Sequence, residues 1–581
     1  LVQLLASEVP GDPDRDTRTL HQDAAPRRPA RRVRAARHHP RRCGARLRGS
    51  GDQLQFRAHL AGHRTRRTNQ RHAQPLRPGL GPGECLPTEV PAPGASAIAT
   101  AMSTAEGTRT RNHLAWASLG IAGLAAWLVV ILRVQPWPFS DYAAFLAVAR
   151  RLNAGDVLYQ EIWDNKDPFV YYSLALLQDI GQPALWALEV AWFLIAAIAV
   201  YAIARRYGLE PTWAFLAGGI LTPLVLIPFH YFPGTTHLPG VALSLAAIAA
   251  FTRQRGFLAG VAIGFLWFFK LSMLPIPLVA IAVIAFHQRR PDIVTRALAG
   301  LGAVLAAGLV ILLLRAEFIP YVDSLIANFT YAQTNTQTGG SNASAIVSER
   351  LAVLTDPHVL ITAITILVIV LVTARSWRTN QLWQLTTATF ATGALLIIAI
   401  GKFPHHAQVL GVSAALAIVL VLTSLGSRRH ARPIASTALA ALVTLALTGL
   451  PDLTGYRDSL VNWRGTWQSM TERDPYSADL FAGAEPSTYA IVQGGGLPRS
   501  PGLEEWDLVC RHIAQRPWES AELLQESLDC FPNAEVLLLP RDFAPANEPE
   551  DFAAFTRSVA DLIASDYICV EGRVSTVCSR R

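Results

Sequence analysis

Apolar runs of about 20 residues, the length a helix needs to cross a bilayer, recur from His113 to Leu450 and are separated by short polar or arginine-bearing joints. A chain patterned in this way is expected to be an all-α polytopic membrane protein over its middle. Runs and breakers together give about eleven spans, approximately 113 to 134, 183 to 204, 211 to 230, 235 to 251, 257 to 270, 271 to 286, 294 to 314, 358 to 374, 382 to 401, 406 to 425 and 433 to 450.

Charge supplies a check on that count. With the N-terminus of the first span inside, alternate joints hold Arg205-Arg206, Arg253 with Arg255, Arg289-Arg290, Arg375 with Arg378, and Arg428-Arg429 with Arg432. All these joints fall on the cytoplasmic side, as the positive-inside bias requires. The sensitive point is the short pair 257 to 270 and 271 to 286. Were it one helix, every later joint would invert and three arginine clusters would face outward, so the pair is read as two spans. Three stretches then lie outside: 135 to 182, 315 to 357, and everything from Pro451.

The two ends of the chain differ from the middle. Residues 1 to 101 carry a net charge of +10 and the remainder −2, so the overall +8 belongs to this segment. Rich in Arg and Pro and without a sustained apolar period, it is expected to be disordered. The first Met is Met102, and residues 1 to 101 are expected to be an over-extended start. They have neither the aromatic interleaving nor the helical phasing of a nucleic-acid site, and no nucleic-acid partner is expected. Residues 102 to 450 form the membrane domain and 451 to 581 a small α/β or α+β domain, with a helix over Asp551 to Ile563 and a strand over Glu535 to Leu539. Cys510, Cys530, Cys569 and Cys578 all lie in that last segment. Four cysteines confined to one soluble segment suit two disulfides in an oxidising compartment, which places the domain outside the cell membrane.

The loop after the first span is dense in carboxylates for so apolar a chain. It reads Phe139-Ser140-Asp141-Tyr142, an amphipathic helix from Ala143 to Asn153, then Gly155-Asp156-Val157-Leu158-Tyr159-Gln160-Glu161-Ile162-Trp163-Asp164-Asn165-Lys166-Asp167-Pro168. An acid at the mouth of a span is usually solvated or lines a functional cavity. This stretch resembles the first outer loop of bacterial membrane glycosyltransferases of the GT-C type, in particular glycosyltransferase family 39, the relatives of protein mannosyltransferase and aminoarabinose transferase. Two further pieces fit: Gly260 to Lys270 followed by Leu274-Pro275, and Gly401-Lys402-Phe403-Pro404-His405-His406. The likeness spans roughly residues 113 to 425. Tyr142 stands where the family commonly has Glu, and Asp167-Pro168 replaces a Pro-Pro.

The resemblance implies a GT-C fold and an inverting transfer of a sugar, mannose or a pentose, from a polyprenyl-phosphate donor to an extracytoplasmic glycan, lipid or protein acceptor. Asp141 would be the catalytic base; its alternative role is a helix N-cap. Asp164 reads as a second site acid or as a turn residue holding Asn165. No cofactor is implied for certain, and a divalent metal is a possible one whose ligands are unknown.

Lysine usage adds an independent hint. The chain has three lysines, Lys166, Lys270 and Lys402, beside 48 arginines, and all three map to the outer side. A compact ammonium suits a lipid phosphate, with His405 and His406 as neighbouring donors. For Lys270 and Lys402 the plain alternative is snorkelling at span ends. Two other function classes fit many spans: a lipid or sugar transporter, including a flippase, and an inactive cell-envelope scaffold. Against the transporter, the acids cluster in a loop rather than at mid-membrane, and no inverted repeat is apparent.

Overall fold

The structure, a computed structural model, describes residues 141–178, 180, 182–226, 236–334, 343–373, 380–401 and 404–427, and in the C-terminal segment 487–492, 507–512, 515, 521–540, 543–546, 550–571 and 575–581. Helices run in the order α1 Asp141–Ala154, α2 Pro168–Gln178, α3 Gln182–Arg206, α4 Pro211–Leu226, α5 His237–Thr252, α6 Gly256–Lys270, α7 Pro275–Gln288, α8 Pro291–Leu314, α9 Phe318–Thr334, α10 Ala343–Thr355, α11 Pro357–Thr373, α12 Gln381–Ile400 and α13 Gly411–Ser427. Several ends follow from local chemistry. Proline occupies the first turn of α4, α7 and α8, where no N–H is needed, and the Asn380 side chain caps α12 by accepting the Trp383 N–H at 3.2 Å.

Five helices among the described residues are long and apolar enough to cross a membrane: Ala187–Arg206, Gly256–Met273, Pro291–Leu314, Gln381–Ile400 and His406–Ser424. The expectation of about eleven spans is not met at full length. Nine of the eleven expected segments fall on apolar helices, but Pro211–Leu226, His237–Thr252, Pro275–Gln288 and Val359–Leu371 are shorter. At 1.5 Å per residue a 16-residue helix rises about 24 Å, less than the roughly 30 Å hydrocarbon layer. The expected spans at 113 to 134 and 433 to 450 lie outside the described residues, as do residues 1 to 101. The helices also differ in setting. Pro291–Leu314 leaves Val310, Leu313 and Leu314 exposed, a lipid-facing surface, whereas His406–Ser424 is almost wholly enclosed by its neighbours.

Residues 257 to 286 form two helices rather than one. The chain breaks where Lys270 takes an extended backbone (φ −163°, ψ 75°) between α6 and α7. Small residues at every fourth position of α6 let it meet α8 backbone to backbone: a Cβ added at Gly260 would collide with the Ala297 carbonyl, and Gly256 and Gly264 likewise face Ile293 and Val304. Residue numbers rise together along this contact, so α6 and α8 run parallel and α7 must return between them.

The two ends of the bundle are tied by different groups. At the Arg206 end, Arg206 donates to the Thr252 carbonyl at 3.0 Å, Tyr207 to Gln381 at 3.2 Å, and His287 pairs with Gln384 at 2.6 Å. Lys270, the loop 155–167 and Glu317 gather at the opposite end. One arginine pair departs from the charge pattern: Arg150-Arg151 lies in α1 at the Lys270 end, where Arg151 is taken up by Asp156 and by the Leu508 carbonyl.

The C-terminal segment is a mixed five-stranded sheet of β1 Thr488–Ile491, β2 Asp507–Leu508, β3 Val536–Pro540, β4 Tyr567–Glu571 and β5 Ser575–Arg580, in the order β2-β1-β3-β5-β4. Strands β2, β1 and β3 are parallel, while β5 is antiparallel to both β3 and β4. Helices α14 Ala521–Cys530 and α15 Glu550–Asp566 cover one face. Alternation along β3 divides its side chains: Leu537 and Leu539 pack with Phe552, Phe555 and Val559, while Val536 and Leu538 join the same core as α1. The two expected disulfides are Cys510–Cys530 and Cys569–Cys578, the second directly across the β4–β5 ladder.

Candidate functional site

The site is built from the loop between α1 and α2. Its first half is a tight knot in which the Tyr159 N–H donates to the Ile162 carbonyl at 2.7 Å and the Glu161 carboxylate accepts the Val157 N–H, also at 2.7 Å. Tyr159 sits at φ 66°, a left-handed conformation that costs energy for a bulky residue. That twist sends its ring inward to full burial, 5.8 Å from the ring of Tyr321 on α9. The second half is stitched to the first, since the Tyr159 hydroxyl donates to the Lys166 carbonyl at 2.6 Å and the Lys166 N–H to the Tyr171 hydroxyl at 3.2 Å.

Asp167 is the hub of this loop. Its carboxylate accepts the Leu271 N–H at 3.1 Å, at the break between α6 and α7, and faces the ammonium groups of Lys270 and Lys166 and the phenol of Tyr321. Burial pushes the Asp167 carboxyl up to about 6, and the Leu271 N–H and the two lysines keep it from rising further. The Lys166 ammonium lies 5.6 Å from the Phe145 ring. Asp141 opens α1 one helical turn before Phe145, on the same face of that helix. The helix therefore begins at Asp141 itself rather than at Ala143. The Asp141 side chain lies outside the described residues.

A second acid supports the loop from behind. Glu317, fully buried between α8 and α9, accepts from Arg315 Nε at 2.8 Å, from the Leu158 N–H at 3.3 Å and from the Tyr172 hydroxyl. Burial drives its carboxyl up to about 7, with the Leu158 N–H acting against the rise.

The C-terminal domain closes the other side. The Trp163 N–H donates to the Arg511 carbonyl at 2.9 Å, Arg511 Nη2 donates to the Tyr159 carbonyl at 2.6 Å, and the Trp163 and His512 rings lie 5.4 Å apart. Loop and domain therefore share one hydrogen-bonded seam.

Of the residues singled out from sequence, Asp164, Lys166 and Lys270 are brought together around Asp167. Asp164 fills the turn role, accepting the Asn165 N–H at 2.5 Å, and also meets the Tyr171 hydroxyl. His406 stands against His237 at the start of α5, with ring centroids 5.5 Å apart. One turn further along α5, Gly240 makes room for the Lys270 and Met273 side chains. Lys402 and the side chain of His405 lie outside the described residues. Among the described residues, no three His, Cys, Asp or Glu side chains gather as a metal site would require.

No family model and no curated protein matches the chain. Solved structures do. The chain is similar to GT-C type membrane glycosyltransferases. ArnT from Cupriavidus metallidurans bound to undecaprenyl phosphate is 14% identical over 79% of this chain and 97% of its own, with a TM-score of 0.47. The Archaeoglobus fulgidus oligosaccharyltransferase in the apo form is 12% identical over 74% and 70%, with a TM-score of 0.39. Arabinofuranosyltransferase AftD from Mycobacteria is 13% identical over 80% of this chain and 40% of its own, with a TM-score of 0.40.

Asp167, Tyr159, Glu317 and Arg511 were not singled out from sequence as site residues. Asp167 stood out only as a departure from Pro-Pro, although its place between Lys166 and the start of α2 was a usable signal. Tyr321 of α9 lies over Asp167.

Proposed function

We propose that this protein transfers a sugar from a polyprenyl-phosphate carrier to an acceptor on the outer face of the plasma membrane, with inversion at the anomeric carbon. The observation that carries the reading is the convergence of Lys166 and Lys270 on Asp167, at one end of the bundle and beside the helix that Asp141 opens. Two ammonium groups at the end of membrane-length helices suit a lipid phosphate, which needs fixed cations as it departs. Asp167, ionised above about pH 6, holds both in place between turnovers.

In the reaction so assigned, the acceptor hydroxyl attacks the anomeric carbon opposite the phosphate. The bond from that carbon to the phosphate oxygen breaks and its electron pair leaves with the polyprenyl phosphate. Asp141 takes the hydroxyl proton. Lys166 and Lys270 offset the charge that grows on the leaving group, while Lys402, His405 and His406 are assigned to the same phosphate. Mannose is the first choice of sugar and a pentose such as arabinose the second. Two disulfides in the C-terminal domain support an extracytoplasmic placement.

The test is transfer of radiolabelled sugar from synthetic polyprenyl-phosphate mannose and arabinose by the full chain in lipid, comparing wild type with Asp141→Asn. Transfer abolished in a variant that still folds supports both the reaction and the base. Transfer that survives removes Asp141 from that role. No transfer from any donor, with a cell-envelope acceptor extract present, would turn the reading toward a transporter or a scaffold. EDTA in the same assay reads any need for a divalent metal.

A further inference from the structure

A cavity of about 420 Å³ opens beside the Asp167 cluster and shares a wall with it. Tyr159, Gln160 and Trp163 of the loop form one side, Asp323 and Ser324 of α9 another, and Arg511 of the C-terminal domain the third. Tyr159 is the common wall, since its ring meets Tyr321, which in turn faces Asp167. The size lies within the range of small-ligand pockets, about 300 to 1,000 Å³.

The lining selects among ligands. Arg511 spends Nη2 on the Tyr159 carbonyl at 2.6 Å and Nη1 on Glu526 at 3.4 Å, so its guanidinium is held in place at the cavity wall. Asp323 offers only acceptor oxygens when ionised, and the Gln160 amide can both donate and accept. Arg511 and Asp323 leave the lining without net charge, so it does not favour a phosphate over a neutral ligand, and a hydrocarbon tail would strand both side chains without water. Sugar hydroxyls both donate and accept, and the C–H face of a pyranose or furanose ring packs on an indole or phenol such as Trp163 or Tyr159.

We propose that this cavity is a subsite for a neutral sugar residue of the acceptor, assembled jointly by the α1–α2 loop, α9 and the C-terminal domain. The word acceptor rests on the transferase reading above: the lysines lie on the Asp167 side of the Tyr159–Tyr321 wall, so donor phosphate and this sugar occupy opposite sides. The C-terminal domain thereby becomes part of the substrate site through Arg511.

The experiment is saturation-transfer NMR on the full chain in lipid nanodiscs, with methyl mannopyranoside and methyl arabinofuranoside as probes. Asp323→Ala removes one acceptor, and Ala327→Trp, from an exposed position on the cavity wall, fills the space without taking away a hydrogen bond. At least one glycoside is expected to give a signal that falls about five-fold in Asp323→Ala, the size of one lost hydrogen bond, and at least as far in Ala327→Trp. No signal from either glycoside, or a signal unchanged in both variants, would overturn the subsite. Polyprenyl phosphate is then added to wild type: a persisting signal supports the acceptor assignment, and displacement overturns it in favour of the donor sugar. Because the readout needs no turnover, its failure is distinct from failure of the Asp141 assay.

Discussion

The Asp167 carboxylate accepts the Leu271 N–H at 3.1 Å, so the loop after α1 is fastened to the point where the chain breaks between α6 and α7. Lys270, one residue before Leu271, is thereby fixed relative to Lys166, one residue before Asp167. That hydrogen bond, with those from Leu158 to Glu317 and from Asn328 to the Asn165 carbonyl, sets the spacing of the two cations.

That arrangement gives stability a definite pH dependence. The Asp167 carboxyl is raised from its ordinary 3.8 to about 6, so between those values the folded protein holds a proton that the unfolded chain has lost. Stability from this group is full below about pH 4, falls as pH rises to about 6, and is level beyond. At roughly 1.4 kcal/mol per pH unit the loss approaches 3 kcal/mol. Asp167→Asn removes the dependence. Its melting temperature in detergent, compared with wild type at matched pH, should gain between pH 4 and 6 and hold that gain to pH 8; parallel curves for the two proteins would refute the assignment.

Lys270→Met keeps the stem and removes the charge. Affinity for polyprenyl phosphate should fall about ten-fold, corresponding to one charge-assisted hydrogen bond of about 1.5 kcal/mol. Lys270→Arg should recover only part of it, because the planar fork does not replace a compact ammonium. Fluorescent-lipid titration in nanodiscs reads both values, and binding unchanged in Lys270→Met would return this residue to a snorkelling role.

Removing Glu317 should be costly for the fold. In Glu317→Ala the Leu158 N–H, the Tyr172 hydroxyl and Arg315 all lose a partner; Arg315 can turn to water, so the cost is that of buried groups left unmet, about 1 to 3 kcal/mol. Glu317→Gln retains an acceptor and should lose less. Thermal melts of the two variants should rank in that order.

Packing at Gly260 predicts a different failure. Gly260→Leu pushes α6 away from the Ala297 backbone and should lower folded yield and melting temperature sharply, whereas Gly302→Leu on α8, where a Cβ meets nothing within 4 Å, should be tolerated.

Arg511→Ala should loosen the seam rather than unfold the domain, because Cys510–Cys530 and the two-sided core remain. Hydrogen exchange at residues 158 to 163 should accelerate while β3 and β5 stay protected. Equal acceleration everywhere would mean that Arg511 holds the domain together rather than docking it.

The sequence alone determined what depends on local pattern. Apolar runs located the helices because each can satisfy its own backbone in lipid, and the arginine joints required a return between α6 and α8, which their parallel packing bears out. Strand β3, helix α15 and the confinement of four cysteines to one segment were legible for the same reason. Span lengths were not, because where a helix stops inside a bundle depends on its neighbours as well as on hydropathy.

Tertiary structure decided which groups face one another. Asp167 looked like a substitution within a motif until the fold set it against Leu271, 104 positions away. Arg511 lies 352 positions from Tyr159, and Glu317 lies 159 from Leu158. No periodicity reports such pairs. A carboxylate or guanidinium acquires its role from the dielectric and the partners around it, and those come from long-range packing rather than from chain neighbours.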